Sequence, residues 1–268
     1  MYITNFIYDG IPLNSFGCIV CELNTSSQNT ISNGSNIEFS TVSMNNGRYH
    51  ALANAKYSEV LTATFTICKD PCVANYSSAL TVSEISELMS WLTRLGFYEL
   101  RVDADGYENL FFMGSFHNVQ RVEFGGDVIG LTLEFTSNAP FAYQDAITEE
   151  LVFTEPHSYQ TINVVTDDLG EFYPIEITIN CSEDGDIELT DNEGYTCAIL
   201  NCTSGEIISL EYPIINNNRD NHDIANDFNY VFPKLYKFSV GIYEANSIYS
   251  NKPCSITIEY NPIRKVGL

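Results

Sequence analysis

The sequence predicts a mostly-β protein of two domains, the first of which carries one α-helix. Three observations predict it. Apolar residues recur at every second position along several short runs. One segment alone has a capped apolar stripe at helical spacing. The character of the chain changes near residue 140.

The strands come first. Within Val60–Cys68, Leu61, Ala63, Phe65 and Ile67 fall on one face, while Thr62, Thr64 and Thr66 fall on the other. That alternation marks a half-buried strand. Residues 128–135 repeat it, with Ile129, Leu131, Leu133 and Phe135 inward, as do Ile175, Ile177 and Ile179, and then Ile256, Ile258 and Tyr260. Asp105-Gly106 and Asp184-Gly185 are expected to turn tight hairpins, where a positive φ is needed. Asn46-Gly47 and Asn192-Glu193-Gly194 are read in the same way. Short strands with frequent turns imply sandwich or barrel architecture.

The helix is predicted over about 81–95. Thr81 and Glu84 fit a capping box, Ile85, Leu88, Met89, Leu92 and Leu95 form one stripe, and Gly96 is placed to end it. Trp91, the single tryptophan, sits at the stripe's edge and is expected in or beside the core. The strand ending at Phe135 leaves through Pro140 and Phe141, and a polar stretch, 144–150, follows. The boundary is therefore drawn between 1–143, a sandwich- or barrel-like domain with the helix, and 144–268, an all-β sandwich. Two polar segments, 24–36 and 216–227, read as long loops or extensions.

Across 268 residues there are 35 acidic and 12 basic side chains, a formal net charge of -23. No cluster of cations exists, the densest basic spot being Arg264-Lys265, so stable nucleic-acid binding is disfavoured. The N-terminus lacks a signal-peptide pattern and no apolar run approaches a membrane span. Synthesis in a cytoplasm is expected. The eight cysteines, Cys18, Cys21, Cys68, Cys72, Cys181, Cys197, Cys202 and Cys254, are accordingly read as buried free thiols rather than disulfides. Cys18-x2-Cys21 and Cys68-x3-Cys72 look superficially like halves of a zinc site, but residues three apart on one strand point to opposite faces. Five glycosylation sequons, starting at Asn24, Asn33, Asn75, Asn180 and Asn201, are expected by chance in so amide- and hydroxyl-rich a chain.

Catalytic signatures do not emerge. Phosphate-loop, dinucleotide, zincin and nucleophile-elbow motifs are all missing from the sequence. His50, His117, His157 and His222 are not spaced as metal ligands. Asp103-Ala104-Asp105-Gly106, Glu183–Glu188 and Asp220–Asp223 lack the spacing of a calcium loop and are better read as turns. No catalytic residue, cofactor-binding residue or metal ligand is assigned.

An ordered series of landmarks resembles the distal tail (Dit) proteins of siphophage-type bacteriophages. It opens with Ile7-Tyr8-Asp9-Gly10 and Phe16-Gly17-Cys18-Ile19-Val20. The helix ending Met89-Ser90-Trp91-Leu92 is followed by Tyr98-Glu99-Leu100, Asp105-Gly106-Tyr107 and Gly114, and the stretch Phe135–Tyr143 closes the first half. Tyr173-Pro174-Ile175-Glu176-Ile177, Gly205-Glu206-Ile207, Asp227-Phe228 and Phe232-Pro233 follow in the order of the family's galectin-like second domain. The chain departs from the pattern after Pro233, where no glycine comes until Gly241.

The resemblance implies a tail-tube-like first domain that closes into a six-fold ring, each copy laying a β-extension on its neighbour. It implies the tail tube on one face, tip or baseplate proteins on the other, and a channel for DNA. It places the protein in the virion, without enzymatic activity or cofactor. The alternative is a carbohydrate-binding adhesion module in the second domain, for which Tyr195, Tyr212, Tyr230, Tyr236 and Tyr243 could supply ring surfaces. A glycosidase is a third reading, and it has no motif behind it.

Overall fold

A computed structural model describes residues 3–21, 37–44, 49–57, 59–72, 78–237 and 245–267. The chain forms two compact units, residues 1–144 with 264–268, and residues 145–263. The last residues thus rejoin the first unit: the Arg264 Nε–H donates to Gln144 at 2.9 Å, and the Tyr107 hydroxyl donates to the Gly267 carbonyl at 2.7 Å.

In the first unit the strands are β1 (Phe6–Tyr8), β2 (Ile11–Pro12), β3 (Cys18–Val20), β4 (Ile37–Met44), β5 (Tyr49–Tyr57), β6 (Thr62–Lys69), β7 (Tyr98–Val102), β8 (Leu110–Phe124), β9 (Asp127–Ser137) and β10 (Ala142–Gln144), with helix α1 (Val82–Leu92) after β6. One antiparallel sheet runs β2-β1-β7-β8-β9-β6-β3, with β10 against β8. The predicted alternation is observed: Leu61, Phe65, Ile67, Leu131, Leu133 and Phe135 are buried. Ile129 is only half-buried.

Helix α1 starts as its sequence requires. The Thr81 hydroxyl accepts the Glu84 N–H, and the Glu84 carboxylate accepts the Thr81 N–H at 2.7 Å. Ile85, Leu88, Trp91 and Leu92 face the core. The helix stops three residues short of the predicted end. The Thr93 N–H and hydroxyl both turn back to the Met89 carbonyl, and the chain then reverses at Gly96, with φ +113°. Leu95, predicted to lie on the stripe, is 100% exposed. Trp91 is buried, donates its indole N–H to the Tyr8 carbonyl at 3.1 Å, and stacks on Phe16 at 4.6 Å.

In the Cys18–Cys21 segment the strand covers Cys18–Val20, after a 3-10 turn over Leu13–Phe16, and Cys21 lies just past its end. Cys18 is buried, and burial first, then the neighbouring Cys68, pushes its pKa up to about 11. Burial and a hydrogen bond with Cys68 raise the Cys21 thiol further. Both therefore remain neutral thiols near neutral pH.

The second unit is a sandwich. Its strands are β11 (Ile147–Phe153), β12 (Ser158–Ile162), β13 (Gly170–Phe172), β14 (Glu176–Cys181), β15 (Gly185–Thr190), β16 (Thr196–Cys202), β17 (Ile207–Glu211), β18 (Ile214–Asn217), β19 (Leu235–Lys237), β20 (Asn246–Ser250) and β21 (Cys254–Tyr260). A five-stranded sheet, β11-β21-β14-β17-β18, faces a four-stranded one, β12-β20-β15-β16. Between them lie Ile177, Ile179, Leu189, Ile199, Ile208, Ile256 and Ile258, together with Cys181, Cys197, Cys202 and Cys254 as small buried side chains.

Three expectations change here. Ile175 lies outside the core, because β14 begins at Glu176 and the residue is half-exposed. Asp184-Gly185 is not a hairpin: it carries the chain from β14 in one sheet to β15 in the other. The 216–227 segment is no free loop, since it holds the end of β18 and a one-turn helix, α2 (Ile224–Asp227), whose Ile224 is buried. Asn192–Gly194 does turn the β15–β16 hairpin, with Gly194 at φ +84°. The 24–36 segment and the Asn46-Gly47 turn lie outside the described residues.

Gly114 sits on β8 between Tyr98 and Ser137. A Cβ there would overlap the Thr136 carbonyl oxygen and the Phe135 ring, so this landmark glycine is required by a close backbone approach. Gly114→Ala is expected to destabilise the first unit by about 1–3 kcal/mol through overpacking, read as a lower urea midpoint. An unchanged midpoint would show that β8 and β9 part freely.

Candidate functional site

Three features stand apart from ordinary core and surface. The first is a β-ribbon. Strands β4 and β5 pair with each other from Ile37↔Tyr57 to Met44↔Tyr49, with a bulge between Ser40 and Thr41, and with no other strand of the described residues. Eight residues of β4 reach about 26 Å at the usual rise of a strand. The ribbon exposes Ile37, Val42 and Phe39, the last at 60%. Its root is fixed: the Tyr57 ring meets Phe141 edge-on at 6.2 Å, with the Lys265 ammonium 5.5 Å away over its face. In sequence the ribbon lies between β3 and β6, which are themselves paired, Ile19 opposite Cys68. It therefore leaves and re-enters the sheet at one edge. Periodicity did not single it out, because a two-sided ribbon without its own core has no clean alternation.

The second feature is a group of rings on the second unit. Tyr173 and Tyr212 stack face to face, with centroids 4.1 Å apart and planes 7° from parallel, and Phe232 meets Tyr212 edge-on at 5.4 Å. Lys234 Nζ lies 5.3 Å from the Tyr173 centroid and 5.8 Å from that of Tyr195, and donates to the Glu171 carboxylate at 2.8 Å. Of the five tyrosines singled out above, Tyr195 and Tyr212 come together here around Tyr173 and Lys234. Tyr230 is exposed and packs on Phe228. Tyr236 is buried, with its hydroxyl donating to Asp191. Tyr243 lies outside the described residues.

The third is a buried charge cluster. The Glu206 side chain is fully buried. It accepts hydrogen bonds from His222 Nδ1 at 2.5 Å, the Thr203 N–H at 2.9 Å and the Asn217 amide at 2.8 Å. His222 Nε2 is 3.2 Å from Asp227, though out of line for a hydrogen bond. Burial by itself would raise the Glu206 pKa, but the bonds from His222, Thr203 and Asn217 outweigh it and hold the carboxyl below its usual value. Burial would likewise lower His222, but the hydrogen bond and charge of Glu206, then Cys202 and Asp227, raise it. The pair ties the β16–β17 turn to the segment before α2. It was illegible in the sequence, where Glu206 and His222 are merely one acid and one histidine sixteen residues apart.

The other histidines and the acidic turns are dispersed. His117 contacts Thr136 at 2.7 Å on β8, and His157 contacts the Tyr249 hydroxyl at 2.5 Å. Asp184 and Asp186 accept backbone N–H groups from Ser204 and Asn201. Among the described residues no group of three or more His, Cys, Asp or Glu side chains is arranged to hold a metal ion. All eight cysteines are free, and Cys72 is exposed.

Charge divides unevenly. Residues 145–263 contain 21 acidic and 4 basic side chains, net -17, whereas the first unit contains 14 and 8, net -6.

The first unit thus carries a rooted ribbon with bare apolar side chains, and the second a sandwich that encloses a buried ion cluster. The family follows from direct comparison. The phage tail protein N-terminal domain matches residues 1–139, the phage tail C-terminal domain matches residues 141–260, and the chain belongs to this structural family of the virion's tail. Its fold is that of SPP1 Dit (gp 19.1), described as a paradigm of the hub adsorption apparatus in Gram-positive-infecting phages. The TM-score is 0.67 at 11% identity, over 97% of this chain and 99% of that one. The phage P2 baseplate in its activated conformation with calcium is similar at TM-score 0.45 and 9% identity, over 97% and 98% of the two chains. No curated protein matches the chain in sequence. The expected phage tail family is borne out by these domains, and the expected fold by the likeness to a Dit protein.

The charge cluster gives a signed prediction. The contribution of His222 is present below about pH 6.5 and is lost as pH rises through its raised folded pKa; that of Glu206 is present above about pH 4.3 and is lost as pH falls through its depressed one. Between these limits both act. Raising pH from about 6 to about 9 is expected to lower the melting temperature of wild type more than that of His222→Gln, which is already lower at pH 6. Parallel pH profiles for the two proteins would contradict this.

Proposed function

We propose that the protein is the hub subunit of its tail. Copies of the first unit close head to tail into a six-fold ring, each laying its β4–β5 ribbon on the next. The tail tube stacks on one face, tip or baseplate proteins on the other, and DNA passes through the centre. The second unit, galectin-like, sits outside the ring, where it meets the host surface. Assembly takes place in the host cytoplasm.

The observation that carries this reading is the end-to-end likeness in fold to a protein described as a hub, supported by the ribbon. A two-stranded ribbon is marginally stable alone. Its open edges and bare Ile37, Phe39 and Val42 are stabilised when another surface covers them. A contact between unlike patches on identical copies generates a ring when its rotation closes, and such a ring needs no active site. The first unit's net -6 gives its channel little electrostatic hold on DNA.

Native mass spectrometry tests the proposal. Wild type is expected as hexamers, and Phe39→Asp with Val42→Asp as folded monomers, because a charge placed in a closing apolar contact opposes it. Hexamers that survive both substitutions would remove the ribbon from the contact. Wild type that remains monomeric even when mixed with purified tail tubes would remove the ring.

A further inference from the structure

From the geometry of the second unit we infer a saccharide-binding site, specific for neutral glycans, on the Tyr212–Tyr173–Lys234–Tyr195 group. The inference rests on the host-facing role proposed for that unit and gives it an address. Recognition of a pyranose needs an apolar ring face against which the sugar's C–H face can lie, and a hydrogen-bond donor and acceptor close together for neighbouring hydroxyls. Both are present. Tyr212 and Tyr195 are 57% and 58% exposed. Tyr212 is braced from behind by the parallel Tyr173 ring and at its edge by Phe232. Its position is thus set before any ligand arrives, which lowers the ordering cost of binding.

The Lys234–Glu171 pair lies against Tyr173 and Tyr195. Its hydrogen bond uses one of the three ammonium donors and one carboxylate oxygen, which leaves further donors and an acceptor for ligand hydroxyls. The Glu171 bond keeps Lys234 charged, and Lys234 lies near the faces of both Tyr173 and Tyr195. Donor and acceptor are therefore held together beside the rings.

Charge selects the class of glycan. The unit's net -17 repels phosphate- and carboxylate-bearing polymers, and the one ammonium at the site is already paired with Glu171. A neutral hexose or N-acetylhexosamine chain meets no such barrier. Another aromatic group of this unit, His157, Tyr159 and Tyr249, is less suited: its Tyr249 hydroxyl is occupied by His157, and Tyr159 is tilted 52° from Tyr249.

The test is titration of the full-length protein with a panel of neutral hexose and N-acetylhexosamine oligosaccharides, with poly(glycerol phosphate) as the anionic comparison. At least one neutral oligosaccharide is expected to bind. Tyr212→Ala, Tyr195→Ala and Lys234→Met are each expected to weaken it about tenfold, the scale of one lost ring contact or charge-assisted hydrogen bond, whereas Tyr159→Ala leaves it unchanged. Preference for the anionic polymer, sensitivity to Tyr159→Ala alone, or no neutral glycan bound would each overturn the inference. Capture of another tail protein by these rings, lost with the same substitutions and without glycan binding, would overturn it in favour of a protein interface. Particle mass measured on the same samples keeps this outcome separate from the ring: six copies without glycan binding defeat only the site.

Discussion

The first unit turns on one aromatic cluster. The Phe116 ring lies 5.3 Å from Phe6, 5.0 Å from Tyr8, 5.8 Å from Phe65 and 5.2 Å from Phe135. One side chain of β8 therefore gathers β1, β6 and β9. Trp91 extends the cluster from α1 through Phe6 and Phe16. Tilted and edge-on ring pairs at these spacings are favourable beyond the area they bury. Because β6 is held in this way, the ribbon that re-enters the sheet through β6 has a rigid root, and a rigid root is what lets a projecting element reach a defined place on a neighbour.

The second unit solves a different problem. Its sandwich core of isoleucines and cysteines is conventional, but it encloses a carboxylate. Leaving Glu206 unpaired there would be costly. Hydrogen bonds from Thr203, Asn217 and His222 offset that cost, and in doing so fix the path from β16 to α2. About three quarters of the chain's excess negative charge, -17 of -23, is carried by this unit. The acidic character seen in the composition therefore describes this sandwich more than the first unit, and it bears on which surfaces the sandwich can approach.

Much of this was legible in the sequence. Strands β6, β9 and β21 obeyed a period of two because one face of each is buried, and the capping box fixed the start of α1 to the residue. Less was legible where tertiary contacts decide. The helix ended at Leu92 because Thr93 folded back on Met89, a local competition that an apolar stripe does not reveal. Asp184-Gly185 has the chemistry of a hairpin turn yet links two sheets, since turn residues specify a local φ and not the partner of the next strand. The tyrosines of the candidate glycan site were visible as tyrosines. That Tyr173, absent from the expected set, braces Tyr212 while Tyr236 is buried depends on sheet register, which no local pattern encodes.

The central claim is that the β4–β5 ribbon is an assembly element. Electron cryo-microscopy of the intact tail tip tests it most directly. The account predicts density for residues 37–57 lying across the adjacent copy of this protein, repeated around a closed ring with Ile37, Phe39 and Val42 covered. A ribbon folded back on its own copy, or projecting uncovered into solvent in the assembled tail, would contradict it.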